Sequence, residues 1–312
     1  MTDDIYVGES KSYAGCLLTL LAVVAVAGGI AYFVWLRPHF KGERTAVEPK
    51  ATAVKTVKST APAPTLTTAT GKDIGLAALS EVRALKQADK LQEAREKAYQ
   101  VLDKSANPVA RTEAESVLSE VNVELVLSQR AMPEKTDYTV QPGDSLAALA
   151  RKYGTTVDVI QKSNRLTGQT IRAGDRLRIF SGKFSIQVSK TRNDLVLLLN
   201  DRFFKRYRVG TGQYGKTPTG SFFIKDKIPS PPWWRPDGKL IPFGDTNNVL
   251  GTRWMALSST DNVPVRGYGI HGTWEPDTIG KQASAGCIRL LNAEVEQLFS
   301  LVPEGTTVTI TE

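Results

Sequence analysis

The chain has 312 residues, and its hydrophobic content of 41% is ordinary for a globular protein of two or three domains. Its net charge of +8 comes mainly from residues 37–76, with 7 basic and 3 acidic residues, and 138–183, with 8 and 3. Because no nucleic-acid motif accompanies these basic regions, we expect an anionic polymer or a membrane surface as partner, and no nucleic acid.

An apolar segment follows the first residues. Residues 14–36 form a run of 23 residues without a charge, in which Tyr32 and Trp35 suit a membrane interface. As a helix this run would be about 35 Å long and could cross a bilayer core of about 30 Å. We predict a transmembrane helix over 14–36, with residues 1–13 in the cytoplasm. Signal-peptide cleavage after Ala25-Val26-Ala27 is the alternative, against which stand the continuing apolar run and the acidic first residues.

Two segments of contrasting pattern come next. Residues 37–75 are rich in Ala, Thr, Pro, Val and Lys without apolar periodicity, which predicts a disordered linker. Residues 76–131 carry two apolar runs at helical spacing, separated by Asn107 and Pro108, and we predict a helical hairpin there. A solitary hairpin lacks the neighbours that helical repeats normally pack against. We therefore expect a packed spacer, with a peptide-binding groove as the alternative.

A third pattern covers residues 138–180. It opens with Tyr138-Thr139-Val140-Gln141-Pro142-Gly143-Asp144-Ser145-Leu146 and closes with Ile171-x-x-Gly174-Asp175-x-Leu177-x-Ile179. Apolar residues at helical spacing lie between, so the predicted order is strand, helix, helix, strand. This βααβ pattern resembles a LysM domain, a module that binds the N-acetylglucosamine-containing backbone of peptidoglycan or chitin. The resemblance implies a glycan groove at Gly143, Asp144, Ser145, Leu146 and Ile171, although the first three also read as a turn and a helix cap.

The C-terminal part contains one cysteine and one histidine at short spacing, Cys287 and His271. A free thiol has a pKa of about 8.5, so an imidazole that takes its proton and holds the ion pair would activate it. Gly286 has no side chain, so an acyl carbonyl could approach the backbone there, and the amides of Gly286 and Cys287 could donate to an oxyanion. The alternative is that Cys287 is a small buried core residue.

Four segments carry a second resemblance, in the right order along the chain. They are Gly215-Lys216-Thr217-Pro218-Thr219-Gly220-x-Phe222, Leu250-Gly251-Thr252-Arg253-Trp254-Met255, Tyr268-x-Ile270-His271-Gly272-Thr273 and Ser284-x-Gly286-Cys287-Ile288-Arg289. They resemble the L,D-transpeptidase catalytic domain of bacterial cell-wall enzymes. The resemblance implies that Cys287 is the nucleophile, that His271 is the base and acid, and that the Gly272 carbonyl orients its ring.

The implied reaction is acyl transfer from the third residue of a tetrapeptide stem to Cys287, with loss of D-alanine. An amine of a second stem would then form a 3→3 cross-link. Water as acceptor would make the site an L,D-carboxypeptidase, and a lipoprotein lysine would make it an anchoring enzyme. The chain departs from the family at Ala285, where a histidine is usual. A silent domain that only tethers peptidoglycan to the membrane is therefore the competing hypothesis.

Further residues are candidates for substrate contact. Ser284 and Tyr268 belong to the implied motifs, and Arg289 is either a clamp for a substrate carboxylate or part of a scaffold ion pair. The long loop after residue 229 carries Trp233 and Trp234, which either line the cleft or pack on the loop itself. We expect no metal or other cofactor, because one histidine and one cysteine cannot complete a zinc site.

The remaining expectations concern architecture and location. Alternating segments and one late helix predict a mostly-β, sandwich-like catalytic domain over 184–312, within a multidomain α+β chain. The expected partners are peptidoglycan glycan strands, tetrapeptide stems and, through one helix, the membrane. More positive charge follows the apolar segment than precedes it, which favours a cytoplasmic C-terminal part. A wall-directed enzyme must lie outside, so we expect a single-pass inner-membrane protein with its catalytic domain on the periplasmic or outer side.

Overall fold

The computed structural model describes residues 74–261 and 267–312. The predicted cytoplasmic segment 1–13, the transmembrane helix 14–36 and nearly all of the linker 37–75 lie outside the described residues. The last two residues of the predicted linker already belong to a helix, which begins at Ile74. No helix of the described part is both long and apolar enough to cross a bilayer.

The N-terminal described unit has three helices. They are α1 (Ile74–Gln87), α2 (Leu91–Lys104) and α3 (Pro108–Leu127). The prediction of a two-helix hairpin over 76–131 was wrong, because the chain breaks at Asp89, whose φ is 61°. Only the second break was recognised from the sequence. There Asn107 accepts hydrogen bonds from the Val109 and Ala110 amides, and proline occupies the first helical position.

The LysM-like unit has the predicted order of elements. Strand β1 (Lys135–Thr139) is followed by α4 (Leu146–Tyr153), α5 (Val157–Ser163) and β2 (Arg176–Phe180), and β1 and β2 pair antiparallel. A small apolar core of its own lies between the two strands and the two helices, with these buried members: Val140, Leu146, Leu149, Ala150, Ile160, Leu177 and Ile179.

The C-terminal unit is built on one sheet of eight strands. In chain order its elements are β3 (Phe184–Ser189), β4 (Asp194–Leu199), β5 (Arg202–Arg208), β6 (Thr211–Gly212), β7 (Gly220–Pro229), β8 (Trp233–Trp234), β9 (Leu240–Ile241), β10 (Arg253–Ser259), β11 (Gly269–His271), β12 (Gln282–Ser284), β13 (Ile288–Arg289), α6 (Asn292–Leu301) and β14 (Thr307–Thr311). The sheet order is β13-β11-β10-β7-β14-β3-β4-β5. The domain is mostly β as predicted, but its strands form one sheet of eight and two small pairs, β6 with β12 and β8 with β9, and not the two large sheets of a sandwich. Alternation along a strand indicates which side chains face the core, and it does not indicate how strands are divided between sheets.

The helical unit and the sheet form one packed body. Arg95 is buried and bonds to Asn122 and Glu134. The Asn122 amide donates to the Phe204 carbonyl of β5 at 3.1 Å, and the Tyr99 hydroxyl donates to the Phe203 carbonyl of the same strand at 2.8 Å. Because these polar groups are satisfied across the contact, the helices act as a packed support for the sheet.

The LysM-like unit also contacts the sheet domain, through α6. Thr156 donates to the Ser300 carbonyl at 2.5 Å, and the Lys162 ammonium donates to the Ser300 hydroxyl at 2.8 Å. Ser300 lies in the last turn of α6, and the first residue of that helix, Asn292, lies beneath the site described next.

Candidate active site

Two neighbouring strands bring the histidine and the cysteine together. Strands β11 and β13 are parallel neighbours in which His271 pairs with Arg289, and Cys287 comes directly before β13. All three residues line one cavity of about 520 Å³. Most of the remaining wall is apolar and comes from the end of β7, from the segment between β7 and β10, and from β10, with these members: Ile228, Pro231, Pro232, Trp233, Trp234, Pro236, Val249, Leu250 and Trp254.

His271 is held in one tautomer. Its side chain is 2% exposed, and its Nδ1 lies 2.6 Å from the Gly272 carbonyl, to which it donates because a carbonyl only accepts. Nε2 then carries no proton and is the nitrogen that can accept one. The ring stacks on Trp254 with centroids 5.7 Å apart. Burial lowers the pKa of His271 to about 4, so the imidazole is neutral at physiological pH.

Cys287 is half-buried, and its Sγ lies 3.4 Å from the Gly267 carbonyl. Burial raises the pKa of the thiol above its ordinary value. Because burial also keeps the imidazole neutral, the site without substrate holds a neutral thiol and a neutral base. The ion pair expected from the residue types alone is not the resting state, and proton transfer has to accompany the attack on substrate.

Ser284 closes the turn that carries the thiol. Its hydroxyl accepts from the Gly286 amide at 3.0 Å and donates to the Cys287 carbonyl at 2.6 Å. The prediction that the Gly286 amide donates to an oxyanion was therefore wrong, since that amide already has a partner. The Cys287 amide remains the candidate donor. The hydroxyl of Ser284, which we predicted to contact substrate, is instead bound within the turn.

Gly286 is fixed from two further sides. Its φ is 139°, and a Cβ there would lie 2.5 Å from the Tyr268 ring, so Tyr268 packs against the turn and is not part of the cavity wall. The buried hydroxyl of Thr217 accepts from the Gly212 amide at 2.7 Å and donates to the Gly286 carbonyl at 2.9 Å. Sequence reasoning noticed the segment around Thr217 and gave this residue no role.

The comparisons with known proteins agree on the family. Residues 183–310 match the sequence profile of the L,D-transpeptidase catalytic domain, and residues 138–180 match that of the LysM domain. The protein named as the L,D-transpeptidase YkuD of Bacillus licheniformis is 35% identical over 182 residues, which cover 56% of this chain and 98% of that protein. Its namesake in Bacillus subtilis is 33% identical and covers 55% of this chain and 97% of its own. The chain belongs to the L,D-transpeptidase family.

Asn292 is a second residue of this L,D-transpeptidase that sequence reasoning missed. Its Oδ1 accepts from the Thr252 amide at 3.1 Å, and a Cβ on either Gly251 or Gly272 would collide with it. The first residue of α6 therefore supports the backbone on both sides of His271. The signal available in the sequence is the pair of glycines, which permit this close approach.

Arg289 makes one ion pair and leaves one donor unused. Its Nη1 donates to Glu275 at 2.9 Å, whereas its Nε is buried and has no hydrogen-bond partner among the residues described. Both roles that the sequence left open for Arg289, scaffold and clamp, are thus compatible with its surroundings.

The residues predicted for the LysM groove mainly build the turn that leads into α4. Asp144 accepts from the Gln141 amide at 2.8 Å and from the Tyr138 hydroxyl at 2.7 Å, and these bonds lower its pKa. Ser145 caps α4 through the Ala148 amide. Leu146 is 2% exposed, so its side chain belongs to the core, and its place at the glycan groove stays a prediction. The remaining two residues are the exposed glycine at 143 and Ile171, which packs partly against the core.

No group of three or more His, Cys, Asp or Glu side chains within 74–261 and 267–312 is arranged to hold a metal ion.

Proposed function

We propose that this L,D-transpeptidase forms 3→3 cross-links in peptidoglycan through a thioester on Cys287. One observation carries the proposal: Cys287 and His271 line the same cavity, and the bond from His271 Nδ1 to the Gly272 carbonyl leaves Nε2 to serve as base. This is the arrangement that an activated cysteine requires, with a nucleophile, a base and a group that orients the base.

In the first half-reaction, Nε2 takes the thiol proton while Sγ attacks the carbonyl carbon of the third residue of a tetrapeptide stem. The Cys287 amide donates to the carbonyl oxygen as it becomes negative. The carbon–nitrogen bond to D-alanine then breaks, and the imidazolium returns its proton to the leaving amine. A thioester on Cys287 remains, and His271 is neutral again.

In the second half-reaction, an amine of another stem attacks the thioester carbon. Nε2 takes a proton from that amine, the carbon–sulfur bond breaks, and the thiol is protonated again. Water would give L,D-carboxypeptidase activity, and a lipoprotein lysine would give anchoring, at the same site. The apolar wall that includes Trp233 and Trp234 favours an acceptor that is bound in the cleft over free water.

Ala285 is the reason to consider a silent domain. Its side chain is exposed in the cavity, while the contacts that hold the relay come from the Ser284 hydroxyl, the Thr217 hydroxyl and the Gly272 carbonyl. None of these contacts needs a histidine at position 285. We therefore favour the enzyme over the peptidoglycan tether.

We further propose that residues 14–36 anchor the protein in the inner membrane, with the catalytic and LysM domains outside. The length and the lack of charge of that run support an anchor. The basic LysM region, with 8 basic and 3 acidic residues over 138–183, suits an anionic wall polymer. Protease added to spheroplasts should remove the LysM and catalytic domains, and protection of both domains would overturn this orientation.

The test of the reaction uses the full chain in detergent, incubated with a disaccharide-tetrapeptide and followed by intact mass. The parent should gain the mass of the stem without D-alanine, and Cys287→Ala should gain nothing. Addition of a stem amine should discharge the adduct into a cross-linked product. A folded parent that retains glycan and forms no adduct would favour the tether, and release of free tripeptide despite excess amine would favour the carboxypeptidase.

A further inference from the structure

The guanidinium of Arg289 is unusual for a buried charged group. Its side chain is 13% exposed, it lines the cavity beside the nucleophile, and its Nε has no hydrogen-bond partner within the described part of the chain. A buried donor on a charged group that lacks an acceptor is unfavourable, and such groups are rare unless they have a ligand.

The one bond that Arg289 does make fixes its orientation. Nη1 donates to Glu275, whose carboxylate is 62% exposed at the rim. The opposite edge of the planar group carries Nε and one hydrogen of Nη2, in the fork that matches the two oxygens of a carboxylate. No hydrogen bond joins this edge to any described residue.

The position of Arg289 relative to Cys287 suits the donor stem. Residues two apart on an extended chain lie on the same side at a separation of about 6.6 Å, and both Cys287 and Arg289 line the cavity. In a tetrapeptide stem, the terminal carboxylate is three bonds from the carbonyl carbon that the thiol attacks. The third residue can carry a second carboxylate on its own side chain when it is a carboxylated diamino acid.

We propose that the Nε–Nη2 edge of Arg289 binds a carboxylate of the donor stem and makes Arg289 a specificity-determining residue. The inference rests on the proposed transpeptidase function and names what the donor site selects. If the terminal carboxylate is the ligand, stems that end at the fourth residue are selected over longer ones, since an extra residue moves that carboxylate out of reach.

The decisive measurement is binding, because it does not require turnover. In the full-length Cys287→Ala protein, the Kd is measured by calorimetry for three stems: a tetrapeptide with a free terminus, the same peptide with a terminal amide, and a tetrapeptide with lysine at the third position. Because such a charge-assisted bond is strong, loss of the recognised carboxylate should raise the Kd of the stem by about 10- to 100-fold. Loss with the amide assigns the terminal carboxylate, and loss with lysine assigns the side-chain carboxylate.

Two variants in the Cys287→Ala background separate a receptor from a scaffold. Arg289→Gln should weaken binding of the free tetrapeptide by the same 10- to 100-fold and remove the discrimination. Glu275→Gln breaks the ion pair and leaves the Nε–Nη2 edge, so discrimination should persist. Thermal melts check that both variants remain folded. Equal Kd values for all three stems, or identical behaviour of the two variants, would overturn the proposal.

The acylation rates of the parent protein keep this proposal apart from the transpeptidase proposal. A parent that binds the free tetrapeptide selectively but never forms a thioester would contradict the reaction and support the carboxylate site. A parent that acylates all three stems equally well would support the reaction and contradict the site.

Discussion

Two turns of this protein contain the same residue types, a glycine and a serine, in different surroundings. The LysM turn, residues 141–146, and the thiol turn, residues 284–287, each have a glycine at positive φ and a serine whose hydroxyl accepts from a backbone amide. A Cβ on Gly143 would meet nothing within 4 Å, whereas a Cβ on Gly286 would meet the Tyr268 ring at 2.5 Å. Ser145 is exposed, and Ser284 is buried.

The difference indicates what each turn has to do. The LysM turn satisfies its own polar groups and presents an exposed surface. The thiol turn is fixed by Tyr268 and Thr217, and its Cys287 amide has no partner among the described residues. Two residues later, Arg289 Nε also lacks one. Donors that are fixed before substrate arrives cost no reorganisation during the reaction, which is the condition for electrostatic catalysis.

The largest expected effect separates the two turns by function. His271→Gln removes the base and should lower the rate of acylation by on the order of 10²- to 10⁴-fold. Retention on insoluble peptidoglycan should not change, since the LysM turn lies outside this site. Intact mass over time measures the first quantity, and a sedimentation assay measures the second. An acylation rate within threefold of the parent would exclude His271 as the base.

The same substitution at the two glycines tests how tightly each turn is held. Gly286→Ala forces alanine into a region of φ that is nearly exclusive to glycine and presses its methyl group on Tyr268. It should lower the free energy of unfolding by about 2–5 kcal/mol and abolish most of the acylation activity. Gly143→Ala meets no neighbour and should cost about 1 kcal/mol of backbone strain alone. Urea unfolding of the two variants measures both values. Equal urea midpoints for the two variants would show that the Tyr268 ring moves aside without a measurable loss of stability.

The two serines give a smaller difference. Ser284→Ala leaves the buried Gly286 amide and the Cys287 carbonyl without their partner and should cost about 1–3 kcal/mol. Ser145→Ala removes an exposed helix cap and should cost about 1 kcal/mol. Acylation should fall only in the first variant. If Ser145→Ala were the more destabilising change, the thiol turn would not depend on its hydroxyl.

Much of this layout could be predicted from the sequence, because the motifs are local. The LysM order of elements, the mostly-β domain and the closeness of His271 and Cys287 all follow from short patterns or from the family resemblance they carry. Leu146 shows the limit of the resemblance, since a motif residue that starts a helix on its apolar face is buried in the core.

What the sequence could not provide depends on contacts between distant segments. Thr217 reaches the Gly286 carbonyl across 69 residues, and Asn292 reaches the Thr252 amide across 40. Whether the Gly286 amide was free to serve as an oxyanion donor depended on the serine hydroxyl that closes the turn, which only the folded backbone reveals. The break at Asp89 was missed because the residues around it continue the apolar spacing of a helix.

The smallest expected effect concerns pH and follows from the burial of His271. An imidazole with its ordinary pKa of about 6.5 would be about nine-tenths protonated at pH 5.5 and would lose about tenfold in rate as a base. Burial lowers the pKa of His271 to about 4, so the base stays neutral and kcat/KM for acylation should change less than twofold between pH 7.5 and 5.5. The LysM turn contains no histidine, so the pH dependence of glycan retention in the same samples serves as the control. An acid limb near pH 6.5 in acylation alone would mean that burial does not lower the pKa of the imidazole.

The lowered pKa of His271 also predicts how the stability of the fold depends on pH, because a neutral buried imidazole destabilises the folded state in acid. Between pH 6.5 and about 4 the unfolded chain binds a proton at His271 that the folded chain refuses, so the free energy of unfolding should fall as the pH falls through that window and stay level above it. The His271→Gln variant has no titratable group at this position. Its urea midpoint should therefore decline less than that of the parent between pH 6.5 and 4, and parallel declines would place the imidazole in contact with water.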